Sequence, residues 1–401
     1  MENLRIGNKS LIKDINRALV IREIRNKGPI SRTQISKNTK LVLSTITKIC
    51  DELLEQNIIF SVGEGKSTGG RKPINLVFNN NYSYIIGVKI EDKHIIMALT
   101  NLKPIIISTK VYEYAKRATF DTVHELLIKG ISELVEEIKE RNGKLQGIGI
   151  AVSGIVDQEN GRLISSSLLG WKNINFKSII KEKFNVSVYL DNDVNCYALA
   201  QKWFGKGKDN RNFVCVTIGE GIGSGIIIDD RLYRGAIGGA GEIGHMIINV
   251  DGRQCYCGQR GCLEAHASEG FIIEYVKEKT GKLYTIEQII ELAGKGDADS
   301  LEAIKIACNN IGYGLINVIM HFNPEKIIIS GKEIKEKKFI ISNILESMNE
   351  NWFHKVGAYE TKIEIDELSN EKFLLGASIL VLSELLGEPI YKDKKTLINN
   401  I

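Results

Sequence analysis

The spacing of apolar residues changes character near residue 84 of this 401-residue chain, and that change dictates two differently built parts. Before it, apolar positions recur at helical intervals; after it, short β-prone runs alternate with amphipathic stretches. YIIGVKI, HIIMALT, PIIISTKVY, GIGIAVSG, VSVYL, FVCVTIG and SGIIID read as strands, with helices at about 119–141, at 175–184 and from Val194 onward. A helical stretch over about 268–321, a strand at EKIIISG and a closing helix FLLGASILVLSELL (373–386) follow. Strands alternating with helices predict an α/β body. Two halves of similar length predict two lobes with a small-molecule cleft between them.

The part before residue 84 carries its own charge. Residues 1–78 hold 14 Lys and Arg against 7 Asp and Glu, a balance of +7, whereas the remainder holds 39 against 42, or −3. A basic head on a near-neutral body suggests a nucleic-acid partner. Leu11, Ile15, Leu19, Ile21 and Ile24 mark a first helix that stops at Lys27-Gly28-Pro29. Ser31 reads as the N-cap of a short second helix that begins at Arg32 and buries Ile35. In the third helix Val42, Ile46, Ile49, Leu53 and Leu54 share an apolar face, leaving Ser44, Thr45, Thr47 and Lys48 on a small polar face suited to a major groove. NIIFSV (57–62) and PINLVF (73–78) form a hairpin whose tip carries Lys66, Arg71 and Lys72 within reach of phosphates. The candidate DNA contacts are therefore Ser31, Arg32, Ser44, Thr45, Thr47, Lys48, Lys66, Arg71 and Lys72. A head that contacts protein instead would lack salt-dependent DNA affinity.

Three motifs carry chemistry in the body. DNDVN (191–195) follows a strand and opens a helix, so Asn192 and Asp193 sit where α/β folds bind ligands, or else serve only as helix caps. In GGAGEIGHMIINVDGRQCYCGQRGCLEAH (238–266), His245, Cys255, Cys257 and Cys262 supply four ligands for a closed tetrahedral zinc site, the alternative being buried free thiols. Glu242 and Glu264 flank that set, as supports of the site or acceptors for ligand hydroxyls. TIGEGIGSG (217–225) has the glycines of a phosphate cradle, but Glu220 inside it would repel phosphate. Seven cysteines, three of them within eight positions, favour metal ligation in a reducing compartment over disulfides. With no apolar run of eighteen and no leader pattern, a cytoplasmic protein without membrane spans is expected.

GPISRTQISKNTKLVLSTITKICDELLEQNII resembles the winged helix-turn-helix heads of sugar-responsive bacterial repressors. From about residue 84 to 386, with GEIGH and CYCGQRGCLE as its most specific motifs, the chain resembles the ROK family of repressors, open reading frames and kinases. The resemblance implies an actin-like, hexokinase-like two-lobed body behind a winged helix-turn-helix, in the repressor branch that includes xylose, glucose and N-acetylglucosamine regulators. It implies boundaries at 1–78 for the head, at 79–195 for a first lobe completed by a C-terminal helix 373–401, and at 196–372 for a second lobe with the zinc loop. It also implies monosaccharide contacts at Gly154, Asn192, Asp193, Glu242, His245 and Glu264, a structural Zn2+ on His245, Cys255, Cys257 and Cys262, and a homodimer or homotetramer on a palindromic operator.

Departures from the kinase pattern imply that the chain is not an enzyme, the alternative being a sugar kinase with residual ATP-dependent activity that also binds DNA and keeps Asp193. Where family kinases read G-[VI]-D-[IL]-G-G-T-K, Lys89 replaces the acid, Glu91 and Asp92 the glycines and Lys93 the threonine. Glu220 stands in the second phosphate loop, and the nucleotide-side GGG is Ser330-Gly331-Lys332. Asp193, the family's catalytic base, is then vestigial as a base and retained as a sugar contact. Xylose is the favoured effector, through NDVN and the likeness of the head.

Overall fold

The computed structural model describes residues 9–64, 72–331, 338–349 and 360–385. The head folds as α1 (Lys9–Lys27), β1 (Ile30–Ser31), α2 (Arg32–Thr39), α3 (Leu43–Glu55), β2 (Ile59–Glu64) and β3 (Ile74–Phe78), its strands ordered β1-β3-β2. Ser31 caps α2 by accepting from the Gln34 amide at 3.2 Å. Ile35, Ile46, Ile49 and Leu53 interlock beneath the hairpin, as their spacing predicts. Val42 does not join them. It is the N-cap residue of α3 and 66% exposed, because the chain enters the helix through a left-handed Lys40 and Leu41 takes the inward position instead.

The body begins with β4 (Tyr84–Ile90), β5 (His94–Asn101), β6 (Ile106–Glu113), α4 (Phe120–Glu140) and β7 (Leu145–Val152). A small sheet of β8 (Ile155–Asp157), β9 (Arg162–Ser166) and β10 (Trp171–Asn175) follows, then α5 (Phe176–Phe184), β11 (Ser187–Asn192) and α6 (Asp193–Phe204). The second half holds β12 (Phe213–Ile218), β13 (Ile222–Ile228), β14 (Arg231–Tyr233), a 3-10 turn at Ile243–His245, α7 (Leu263–Ala267), α8 (Glu269–Thr280), α9 (Ile286–Gly294) and α10 (Ala298–Phe322). It closes with β15 (Lys326–Gly331), α11 (Lys338–Asn349), β16 (Lys362–Glu367) and α12 (Asn370–Leu385).

The two large sheets repeat one topology. The first runs β11-β7-β4-β5-β6 and the second β16-β15-β12-β13-β14, each an antiparallel meander of three strands extended by two parallel ones. Each has its own core: Val123, Leu127, Ile131, Leu134 and Ile138 of α4 cover the first sheet, and α10 lies in the core on the second. Among the described helices, α10 alone is long and apolar enough to cross a membrane; its inward residues, from Ala303 to Ile319, are core.

The helices that follow the last strand of each sheet exchange places. α6 follows β11 yet packs on β12 and β13, while α12 follows β16 yet packs on β4, β7 and β11, and the two helices pack against each other. Glycines make the approach possible. A Cβ at Gly149 would lie 1.8 Å from the Ala377 carbonyl oxygen, and one at Gly376 would lie 1.9 Å from that of Cys196. The far end of α12 reaches the head, where Val381, Leu382 and Leu385 share one buried cluster with Ile24, Ile30, Leu76 and Phe78.

Candidate effector, metal and DNA sites

The end of β11 and the start of α6 are braced before they present any group to a ligand. Asp191, buried, accepts from Asn195 Nδ2 at 2.9 Å, from Arg234 Nε at 2.8 Å and from the Gln158 amide. Asn192 Oδ1 caps α6 by accepting from the Val194 amide at 2.8 Å, while its Nδ2 donates to the Gly154 carbonyl at 3.1 Å. The helix cap and the link to Gly154 thus share one side chain, with a second Nδ2 proton left over by valence. Gly154 must be glycine: its φ is +120° and a Cβ would stand 2.2 Å from the Ser165 carbonyl oxygen.

The acidic groups converge opposite. Burial pushes the Asp193 carboxyl up from its ordinary pKa, and the nearby Lys89 ammonium partly offsets this. Glu242 is likewise raised by burial, and it lies close enough to feel the charges of His245, Asp193 and Glu264. Glu264 is 5% exposed; one oxygen accepts the Ile222 amide at 2.7 Å, and the Tyr256 hydroxyl lies close enough to interact with the same carboxylate.

The cysteine loop presents a compact donor set. His245, Cys255, Cys257 and Cys262 place one ligand atom each within 4.8 Å of one another. Cys255 Sγ is 3.7 Å from His245 Nδ1, and Cys257 Sγ is 3.7 Å from Cys262 Sγ. Bonds of roughly 2.3 Å to a tetrahedral zinc give ligand edges of roughly 3.8 Å, so the donors fit such an ion. His266, which sequence reading passes over, holds the loop: burial lowers its pKa, and its neutral Nε2 accepts the Arg253 amide at 3.0 Å.

At the positions that depart from the kinase pattern, the chain's own charges pair with one another. Lys89, only 6% exposed, donates to Asn370 Oδ1 at 2.9 Å, pairs with Glu91 and lies 3.7 Å from the centre of the Phe373 ring. Glu91 also pairs with His94. Lys116, which no motif singled out, sits 3.4 Å from Asp92 and 3.8 Å from Glu220, joining the first half of the body to the second. Ser330 bonds the Tyr197 hydroxyl, which donates to Asp366 at 2.7 Å; Gln201 and Lys372 complete that network. Lys93 is exposed, and Lys332 lies outside the described residues.

In the head, Ser44 and Lys48 are exposed and Thr45 and Thr47 half-buried on α3. The Ser31 hydroxyl is engaged as a cap and Arg32 pairs with Asp51 at 2.6 Å, so both would contact DNA only with what those bonds leave free. Lys72 is exposed beside the wing, while Lys66 and Arg71 lie outside the described residues.

A sequence model of the ROK family matches residues 85–384. The chain belongs to the ROK family. Among curated relatives, the xylose repressor of Bacillus spizizenii is 33% identical over 382 residues, covering 95% of this chain and 98% of that protein. The DNA-binding transcriptional dual regulator NagC of Escherichia coli is 30% identical over 393 residues, covering 95% of this chain and 96% of NagC. Among solved structures, a ROK family transcriptional regulator described as a homolog of the E. coli MLC protein superposes with a TM-score of 0.80 at 28% identity, covering 94% of this chain and 98% of that one. The ROK likeness therefore extends through the head as well as the two-lobed, actin-like body, and the His/Cys cluster and the braced DNDVN turn are parts of a ROK fold.

Proposed function

We propose that the chain is a sugar-responsive transcriptional repressor of carbohydrate-utilisation genes, released from its DNA operator when a monosaccharide, xylose first, binds between the lobes. The observation that carries this is the full-length likeness to named repressors, which includes the basic winged head. The proposed division is a head of 1–78, a first lobe of 79–195 completed by the C-terminal helix, and a second lobe of 196–372 with the zinc loop. The setting is the cytoplasm, and the unit is at least a dimer, because a palindromic operator presents two half-sites.

Asp193, Glu242 and Glu264 would accept hydrogen bonds from sugar hydroxyls, Asn192 Nδ2 would donate one, and the Gly154 backbone would line the ring. The burial of these carboxylates within reach of one another's charge supports this reading. His245, Cys255, Cys257 and Cys262 would hold a structural zinc; bound there, the ion cross-links the loop and fixes which His245 nitrogen carries a proton. Because Nδ1 faces the thiol cluster, Nε2 is left for the sugar. Cys257→Ser should then lower zinc content and sugar affinity together, measured by metal analysis and calorimetry. Unchanged sugar affinity in a zinc-free variant would refute the link.

No kinase activity is proposed. The position where a nucleotide's phosphates and metal would be met holds a buried lysine paired with Glu91 and Asn370, and Glu220 stands 3.8 Å from Lys116 of the first half. Phosphoryl transfer depends on positioned phosphates and cations, and Asp193 alone supplies neither. Head contacts at Ser31, Arg32, Ser44, Thr45, Thr47, Lys48, Lys66, Arg71 and Lys72 would give DNA affinity that falls steeply with salt.

The experiment is a DNA-binding titration of the full chain, on duplexes selected from a random library, with xylose, glucose and N-acetylglucosamine in turn. Release by xylose alone is expected. About 100-fold weaker DNA binding would correspond to about 2.7 kcal/mol of coupling between sugar and operator. A response to N-acetylglucosamine alone would move the chain to the NagC side, and ADP release with any of these sugars would overturn the non-enzymatic reading.

A further inference from the structure

The first turn of α3 is built in a way that protein stability alone does not favour. Its N-cap is Val42, which makes no capping hydrogen bond, although Ser, Thr, Asp and Asn are the residues that satisfy a helix N-terminus. Val42 is 66% and Leu43 48% exposed, so neither contributes to the head's core. Two adjacent apolar side chains stand in water on the turn that leads the polar face of the helix.

Their surroundings select one kind of surface. Leu43 and Thr47, one turn apart, line a shallow groove with Ser44 and Lys48, and Lys37 and Lys40 are exposed on the element just before it. The C-terminal half of the same groove is acidic, lined by Asp51, Glu52 and Glu55. Asp51 and Glu52 are there paired with Arg32, Arg17 and Lys13, so it is the exposed lysines that draw a polyanion to the first turn. DNA would meet α3 end-on, with Val42 and Leu43 foremost and the lysines flanking them.

We propose that Val42 and Leu43 are specificity residues that pack against thymine C5-methyl groups in the major groove. This rests on the DNA-binding reading of the head. The thymine methyl is the one apolar feature on a base edge of the major groove, so an apolar pair at the leading turn discriminates T from C and from purines without a hydrogen bond. Neighbouring Ser44, Thr47 and Lys48 supply polar contacts, which leaves the apolar pair to report thymine. None of these contacts requires α3 to move.

The test removes the methyl and nothing else. Duplexes selected by the full-length protein from a random library are resynthesised with single thymine-to-deoxyuridine replacements. One or two adjacent positions per half-site should then bind about fourfold more weakly, the equivalent of the roughly 0.8 kcal/mol of one buried CH2 group at 1.4 kcal/mol per tenfold. In Val42→Ser and Leu43→Ala, thymine and deoxyuridine should bind alike at those positions. Val42→Ser supplies a conventional cap, so its melting temperature should equal or exceed the parent's and loss of fold would not imitate the effect. The inference fails if every replacement is silent in the parent, if the selected half-sites lack thymine, or if the methyl effect survives both substitutions. A selection that enriches no sequence would overturn the DNA-binding reading itself, and the inference with it.

Discussion

Asp193 shows what one residue costs the fold to keep. Burial raises its pKa, with Lys89 opposing and Glu91 adding to the rise, so the folded chain holds the Asp193 proton more tightly than the unfolded chain does. The sign of the linkage follows. Stability associated with this group is present below the unfolded pKa of about 3.9 and is lost as pH rises through the higher folded value. Asp193→Asn keeps the shape and removes the buried charge. It should melt above the parent at pH 7, with the difference vanishing near pH 4, in thermal scans across that range. The same variant should lose roughly tenfold or more in sugar affinity, since an amide cannot accept hydrogen bonds at both former oxygens. A melting temperature at pH 7 equal to or below the parent's would refute the view that the carboxylate is held at the expense of stability. Residue-scale legibility was mixed for physical reasons. The cluster of His245, Cys255, Cys257 and Cys262 could be read because thiol spacing is local, whereas the double use of Asn192 as cap and as partner of Gly154 depends on a contact 38 residues away.

At the scale of elements, the crossed helices α6 and α12 are the part that holds the body together. Gly149 and Gly376 let α12 lie directly on the first sheet and on α6. Gly149→Ala would drive a methyl into the Ala377 carbonyl, and a loss of about 3 kcal/mol or more is expected in urea unfolding. Gly294→Ala is the control: nothing lies within 4 Å of a Cβ there, and the position ends α9, so the change should be neutral or stabilising by up to about 1 kcal/mol. Equal losses for both would show that the close approach of α12 is not what matters. The helix itself was legible in FLLGASILVLSELL, but its crossing was not, because Gly87 and Gly149 lie more than two hundred residues from Gly376 and the surfaces they clear for α12 meet only in the fold. The small sheet β8-β9-β10 and strand β16 escaped for a simpler reason: their strands have three to six residues, too few to establish a period. Val42 was assigned to the buried face by the same periodicity, which cannot tell the last residue before a helix from the first within it.

At the scale of the molecule, the head rests on the two helices that cross between the lobes. Its core is continuous with Val381, Leu382 and Leu385 of α12, and Arg25 of α1 donates to the Leu102 carbonyl at 3.4 Å while stacking 5.4 Å from the centre of the Trp203 ring on α6. A change of angle between the lobes displaces α6 relative to α12, so it must either reorient the head or break this docking. Under the proposed function, such a mount would turn sugar binding between the lobes into a change in the aim of α3. Arg25→Ala removes the cation from the Trp203 face, an interaction worth about 0.5–2 kcal/mol, and Trp203→Ala removes the ring. Neither side chain belongs to the proposed DNA or sugar contacts, so each variant should bind DNA in the absence of sugar within about threefold of the parent. The release caused by sugar should shrink in each, and by no more in the double variant than in either alone, since both break one contact. Titrations of DNA with and without sugar, on the parent and the three variants, measure this. Full release in the double variant would place the transmission elsewhere, through the core around Val381 and Leu385, whereas loss of DNA binding without sugar would make the contact a support of the head itself.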